Sequence, residues 1–155
     1  MRSKRVELVE KIAQKINIGV NAIEYKVLFE LWAGYGSLIE VKFGNGYTII
    51  CKEIIPSPDD SVSHQRKMKS YLVEAALYQH FSADLRRVLH MAELLDMNYG
   101  KDGDIILLLS DLRIDFPHKV QKLHMSPTEI RVALDWLVKY HTYFWTTDNQ
   151  YTHQL

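Results

Sequence analysis

One cysteine, Cys51, stands in a chain of 155 residues. A single thiol excludes an internal disulfide framework and any multi-cysteine zinc site, and it suits a reducing compartment such as the cytoplasm. Neither sign of charge is in excess, since 19 basic side chains balance 19 acidic ones. That balance removes the composition-level argument for a nucleic-acid partner or an anionic membrane surface. Long apolar runs are missing too. The longest aliphatic stretch is Ile105 to Leu109, far short of the roughly 20 residues that span a bilayer. The amino end carries Arg2, Lys4, Arg5, Glu7, Glu10 and Lys11 in place of a secretory core. No internal repeat and no low-complexity tract is visible. His64, His80, His90, His118, His124, His141 and His153 form no His-x-x-x-His pair, so they predict solvated or structural roles and no metal site. What remains is an ordinary globular composition, 47% hydrophobic and 11% aromatic, at a length that suits one domain. The expectation is a soluble, cytoplasmic protein.

Periodicity divides the chain. Val6, Val9, Ile12, Ala13 and Ile16 predict an amphipathic helix over 4–16. From Ile23 the period falls to two, and Ile23, Tyr25, Val27, Phe29 and Leu31 predict a half-buried strand. Gly34-Tyr35-Gly36-Ser37 interrupts it, and Leu38 to Phe43 resumes as a second strand. Gly44-Asn45-Gly46 offers positive-φ residues for a hairpin turn, and Tyr47 to Ile55 reads as the third strand. The prolines and small polar residues of 56–61 form a loop. A helix over 64–82 follows, with Met68, Leu72, Ala75, Ala76 and Phe81 near its apolar face. Val88–Met97 and Asp104–Leu109 read as two more strands. After a polar connection from Asp111 to Met125, Ser126, Pro127 and Glu129 supply a capping box for a last helix. Ile130, Ala133, Leu134, Leu137, His141, Phe144 and Trp145 form its stripe, with His141 as a packed residue.

Three antiparallel strands, a helix and two further strands are the layout of a kinase amino lobe, an α+β arrangement. The residues agree with it. Alternation puts Lys52 on the same face as Ile50 and Ile54, where a charge is costly unless paired. Cys51 then points to the opposite face. Glu74, in the middle of the next helix, is the obvious partner for Lys52. In kinases a strand lysine held by a helix glutamate meets the α- and β-phosphates of ATP. Gly34 and Gly36 fall where a phosphate-covering loop would lie, and Ser37 adds a hydroxyl and an amide. Each feature alone has a plainer reading: a hairpin turn, a solvated edge lysine, a glutamate on the wet side of its helix. Their order on successive elements is what points to a nucleotide site.

Ser63 to Tyr78 (SHQRKMKSYLVEAALY) resembles the second-helix segment of choline-kinase-like and aminoglycoside-phosphotransferase-like small-molecule kinases, closest to the ecdysteroid-kinase-like branch. Leu107 to Pro117 (LLLSDLRIDFP) is similar to that family's hinge, and Ala133 to Trp145 (ALDWLVKYHTYFW) to its first carboxy-lobe helix. The resemblance implies a kinase-like amino lobe over 1–109, a hinge and linker over 110–125, the first helix of a truncated carboxy lobe over 126–146, and a tail over 147–155. It further implies that Lys52 is the phosphate-binding lysine, that Glu74 is its partner, and that backbone groups of Ser110, Asp111 and Leu112 bind adenine. ATP and Mg are the implied cofactors, and a small-molecule hydroxyl compound the acceptor in the complete protein. Ser110 departs from the family, which carries an acidic residue there. The His-Gly-Asp loop, its downstream Asn and the later metal-binding Asp have no counterpart before Leu155, and Asp148-Asn149 lacks the preceding motif. The expectations are thus two. One is the nucleotide-binding portion of an ATP-dependent phosphotransferase, with no catalytic residues of its own and the magnesium ligands lying beyond it. The other is a non-catalytic kinase-like interaction protein. The apolar stripe of the last helix predicts self-association through 130–145 or a fold back onto the small lobe.

Overall fold

The computed structural model describes residues 4–15, 17, 23–57, 61–100, 102–117 and 124–146. Ile16, Asp59-Asp60, His118, residues 118–123 of the linker and the tail with Asp148-Asn149 lie outside the described residues. The elements run α1 (Lys4–Lys15), β1 (Ile23–Glu30), a 3-10 turn (Trp32–Gly34), β2 (Gly36–Phe43), β3 (Thr48–Ile54), α2 (Val62–Leu85), β4 (Leu94–Tyr99), β5 (Ile105–Ser110) and α3 (Pro127–Thr146). The five strands pair antiparallel in one open sheet of order β1-β2-β3-β5-β4. The architecture is α+β. No helix among the described residues is long and apolar enough to cross a membrane.

Alternation sorts the strands' side chains onto two faces, and each face meets a different helix. On one, Leu8, Val9, Ile12 and Ala13 of α1 pack on Ile39, Val41, Phe43, Ile49, Cys51, Ile106 and Leu108. On the other, Met68, Tyr71, Ala75 and Tyr78 of α2 pack with Ile50, Ile54, Ile105, Leu107 and Leu109. The β2–β3 hairpin closes through Gly46 N to Phe43 O (2.8 Å) and Phe43 N to Tyr47 O (2.9 Å). Of its three loop residues Gly46 alone takes a positive φ, +86°, the geometry of a turn followed by a one-residue bulge.

Several expectations need correction. β1 is not half-buried along one face. A bulge between Val27 and Phe29 pairs Val27 with Ile39 but Phe29 with Leu38, so Phe29 moves to the α2 side while Tyr25 and Val27 stay on the α1 side. As an edge strand β1 leaves both Val27 and Phe29 more than half exposed. The strand proposed over Val88–Met97 begins only at Leu94. α2 runs on to Leu85, beyond the expected end, and the Leu89 amide turns back to Leu85 O at 2.7 Å. Leu89 is thereby buried against Phe81 and Leu85 rather than paired in the sheet. Within α2, Leu72 is exposed; the packed stripe passes through Tyr71 and Tyr78 instead.

α3 opens with the expected capping box, Ser126 N donating to Glu129 Oε2 (2.7 Å) and Glu129 N to Ser126 Oγ (3.3 Å). Its packed side shares Phe144 with the expected stripe and is otherwise aromatic. Trp136, Tyr140, Tyr143 and Phe144 fold back onto Phe81, Leu85 and Leu89, with Phe144 edge-on to Phe81 at 5.3 Å. The Trp136 indole donates to His90 O at 3.0 Å. Ile130, Ala133, Leu134, Leu137, His141 and Trp145 are exposed. Trp136, Tyr140, Tyr143 and Phe144 recur at helical spacing on the side that faces α2, and the aliphatic residues lie on the other.

Candidate functional site

Cross-strand pairing carries Lys52 into a row of Phe29, Leu38, Lys52, Leu107 and Met97, one residue from each strand. Its row neighbours are apolar, so its counter-charge has to come from the helix above. Tyr71, Glu74, Ala75 and Tyr78 recur at helical spacing on the sheet-facing side of α2. Lys52 Nζ donates to Glu74 Oε1 (2.7 Å) and Oε2 (2.6 Å). The side chains are 16% and 31% exposed, so the pair is screened less than a surface ion pair. The Tyr71 ring lies 5.3 Å from the ammonium, a cation–π contact. Burial, and then the Glu74 carboxylate, push the Tyr78 phenol above its usual pKa and keep it neutral. On the opposite face the buried Cys51 thiol is pushed up to about 12, chiefly by desolvation, which leaves it inert.

A cavity of about 440 Å³ opens beside the pair. Leu31, Leu38, Ile50, Ala92 and Leu109 give it apolar walls, and its polar members are Lys52, Glu74 and the connection Ser110–Arg113. Five of the residues singled out from sequence, Lys52, Glu74, Ser110, Asp111 and Leu112, therefore meet at one cavity. Gly34, Gly36 and Ser37 are not among its lining residues, although Leu31 and Leu38 on either side of their turn are. Gly36 lies inside β2 with φ +121°, where an added Cβ would stand 2.0 Å from Glu53 O. Close approach of the β2 and β3 backbones thus requires glycine there. Ser37 pairs with Glu53, on the face opposite Lys52.

The turn is fastened to α2 by a residue the sequence reading passed over. Tyr35 is 3% exposed; its hydroxyl is hydrogen-bonded to His64 Nδ1 at 2.7 Å, and its carbonyl accepts from Ile55 N at 2.9 Å. The Lys67 ammonium lies 5.0 Å from the Tyr35 ring and 4.7 Å from that of Trp32. A tyrosine between two glycines was the available signal, because a turn rarely buries a large ring without a partner for its hydroxyl.

The 110–112 segment is occupied unevenly. Ser110 N donates to Glu93 O and Ser110 Oγ accepts from Glu93 N, both at 2.9 Å, so this serine bridges the backbone of the segment before β4. The Asp111 carboxylate is turned into the protein, accepting from Thr48 Oγ1 at 2.8 Å and from Arg113. The Arg113 hydrogen bonds hold it well below the usual carboxylate range, at about 2. Leu112 lines the cavity, and its amide has no hydrogen-bond partner among the described residues. Among the described residues no group of three or more His, Cys, Asp or Glu side chains is placed to hold a metal ion. No protein-family model matches the chain, and no curated protein matches it.

Proposed function

We propose that this chain is the nucleotide-binding portion of an ATP-dependent small-molecule kinase of choline-kinase-like type, acting on a hydroxyl acceptor in the complete protein. The observation that carries the reading is the Lys52–Glu74 pair held at 2.6–2.7 Å on the wall of an apolar cavity that also borders the Ser110–Arg113 connection. A flat aromatic base suits walls of Leu31, Ile50, Ala92, Leu109 and Leu112, and the free Leu112 amide offers it a donor. Lys52 offers its ammonium to the phosphates, and Glu74 keeps that ammonium aimed by a two-point, charge-assisted contact. ATP, when bound, supplies the phosphoryl group to be transferred. Residues 1–109 then serve as the kinase-like amino lobe and 110–125 as hinge and linker, with α3 as the first helix beyond.

The His-Gly-Asp loop has no counterpart in these 155 residues, so this chain binds nucleotide without transferring phosphate at a measurable rate. Calorimetric titration of ATP with magnesium into the wild type and Lys52→Ala tests the reading. Heat of binding from the wild type, lost in the variant, supports it. Equal binding by both, or binding by neither, overturns it and favours a non-catalytic kinase-like interaction protein.

A further inference from the structure

The connection that leaves β5 makes one helical turn, with Ile114 N donating to Asp111 O (3.3 Å) and Phe116 N to Leu112 O (2.8 Å). The first amides of such a turn have no partner within it. Asp111 caps it, its Oδ1 accepting from Arg113 N at 3.0 Å, and the Leu112 amide, on a residue that lines the cavity, is left over. Arg113 then turns back on the cap. Its Nε donates to Asp111 Oδ1 (2.8 Å) and its Nη2 to Oδ2 (2.6 Å), a two-point fork. The same Nη2 also donates to Glu40 Oε2 on β2, and Thr48 Oγ1, at the start of β3, donates to Asp111 Oδ2 at 2.8 Å. One guanidinium and one carboxylate, the latter on a residue 6% exposed, thus tie the turn to two strands of the sheet. Arg113 itself lines the cavity.

We propose that Arg113 is a positioning residue for base recognition: by locking Asp111, which Thr48 also holds, to Glu40 it fixes the Leu112 amide against the cavity, and so selects a purine that presents an acceptor there. Adenine has an acceptor at N1, where guanine carries N1–H; a fixed donor favours the first and opposes the second. A donor on a loose turn would swing to suit either base. This inference rests on the nucleotide reading above.

The test is titration of ATP and of GTP into the wild type, Arg113→Lys, Arg113→Met and Thr48→Val, each checked for folding by circular dichroism. The wild type is expected to prefer ATP. Arg113→Met is expected to lose most of that preference, with ATP weakened about tenfold, the equivalent of one hydrogen bond. Arg113→Lys keeps a cation against Asp111 without the fork and is expected to restore part of the preference. Thr48→Val, a smaller excision for the case in which Arg113→Met does not fold, is expected to shift the ratio in the same direction by less. A wild type that binds neither nucleotide overturns this inference together with the nucleotide reading. ATP binding that depends on Lys52, with an ATP-to-GTP ratio unmoved by the Arg113 and Thr48 substitutions, overturns this inference alone. A uniform loss of both nucleotides makes Arg113 a structural residue and overturns it as well.

Discussion

The two faces of the sheet are built from the same five strands and differ in what their helix does. Against α1 the core is apolar, with Val9, Val41, Ile49, Cys51 and Leu108 fully buried, and one ion pair, Arg5 to Glu53 at 2.6 Å, borders it. Against α2 the sheet presents Lys52 between Ile50 and Ile54. The helix answers with Glu74 and two tyrosines, and a cavity remains open beside them. The first face is where burial of apolar area stabilises the fold. The second leaves unfilled space beside its charge pair, which weakens packing and is what the proposed site requires.

The largest expected effect sets these faces against each other. Leu108→Ala, on the α1 side, is expected to cost about 2–5 kcal/mol, whereas Leu38→Ala, on the cavity wall, is expected to cost about 1 kcal/mol. Urea denaturation measures both, and equal losses would break the distinction. A smaller effect concerns acid. Asp111 is lowered from 3.8 to about 2 in the folded protein, so its contribution to stability is present above pH 4 and is lost as pH falls towards 2. Asp111→Asn is expected to be less stable at neutral pH and to flatten that part of the pH–stability curve; an unchanged acid limb would mean that the Arg113 fork is not formed in solution. The smallest effect on stability is expected from Lys52→Met. Its apolar stem is kept, and Glu74, 31% exposed, can turn to water, so the midpoint should move by less than about 1 kcal/mol while nucleotide binding disappears. Loss of several kcal/mol would show that the pair holds the fold together rather than the ligand.

The Lys52–Glu74 pair was legible because two local periods suffice to place it: alternation aims Lys52 at the α2 side, and the helical period aims Glu74 back. Nothing local reports a bulge. The run from Ile23 to Leu31 alternates whether or not its register slips, and the slip at Val27/Phe29 is visible only in the pairing with β2. α3 was ambiguous for a related reason. It carries an aliphatic stripe and an aromatic one, and which of them packs is decided by Phe81, Leu85 and Leu89, which lie far away in sequence. Val88 and Leu89 looked like strand because they are apolar and Val is a β-former; the turn that closes α2, with both amides donating to Leu85 O, overrode that propensity. The Arg113 network was out of reach altogether, since it joins positions 73 residues apart, Arg113 and Glu40, with no pattern between them.

The central claim is that the cavity between Lys52 and the Ser110–Arg113 connection binds a nucleotide. Amide chemical-shift mapping of the isotopically labelled protein during ATP titration tests it most directly. The account predicts shifts at Leu31, Leu38, Lys52, Glu74 and Ser110 to Arg113, the Leu112 amide foremost, with Val9, Val41 and Leu108 on the α1 side unmoved. Shifts centred on the α1 side, or a spectrum unchanged at millimolar ATP, would contradict it.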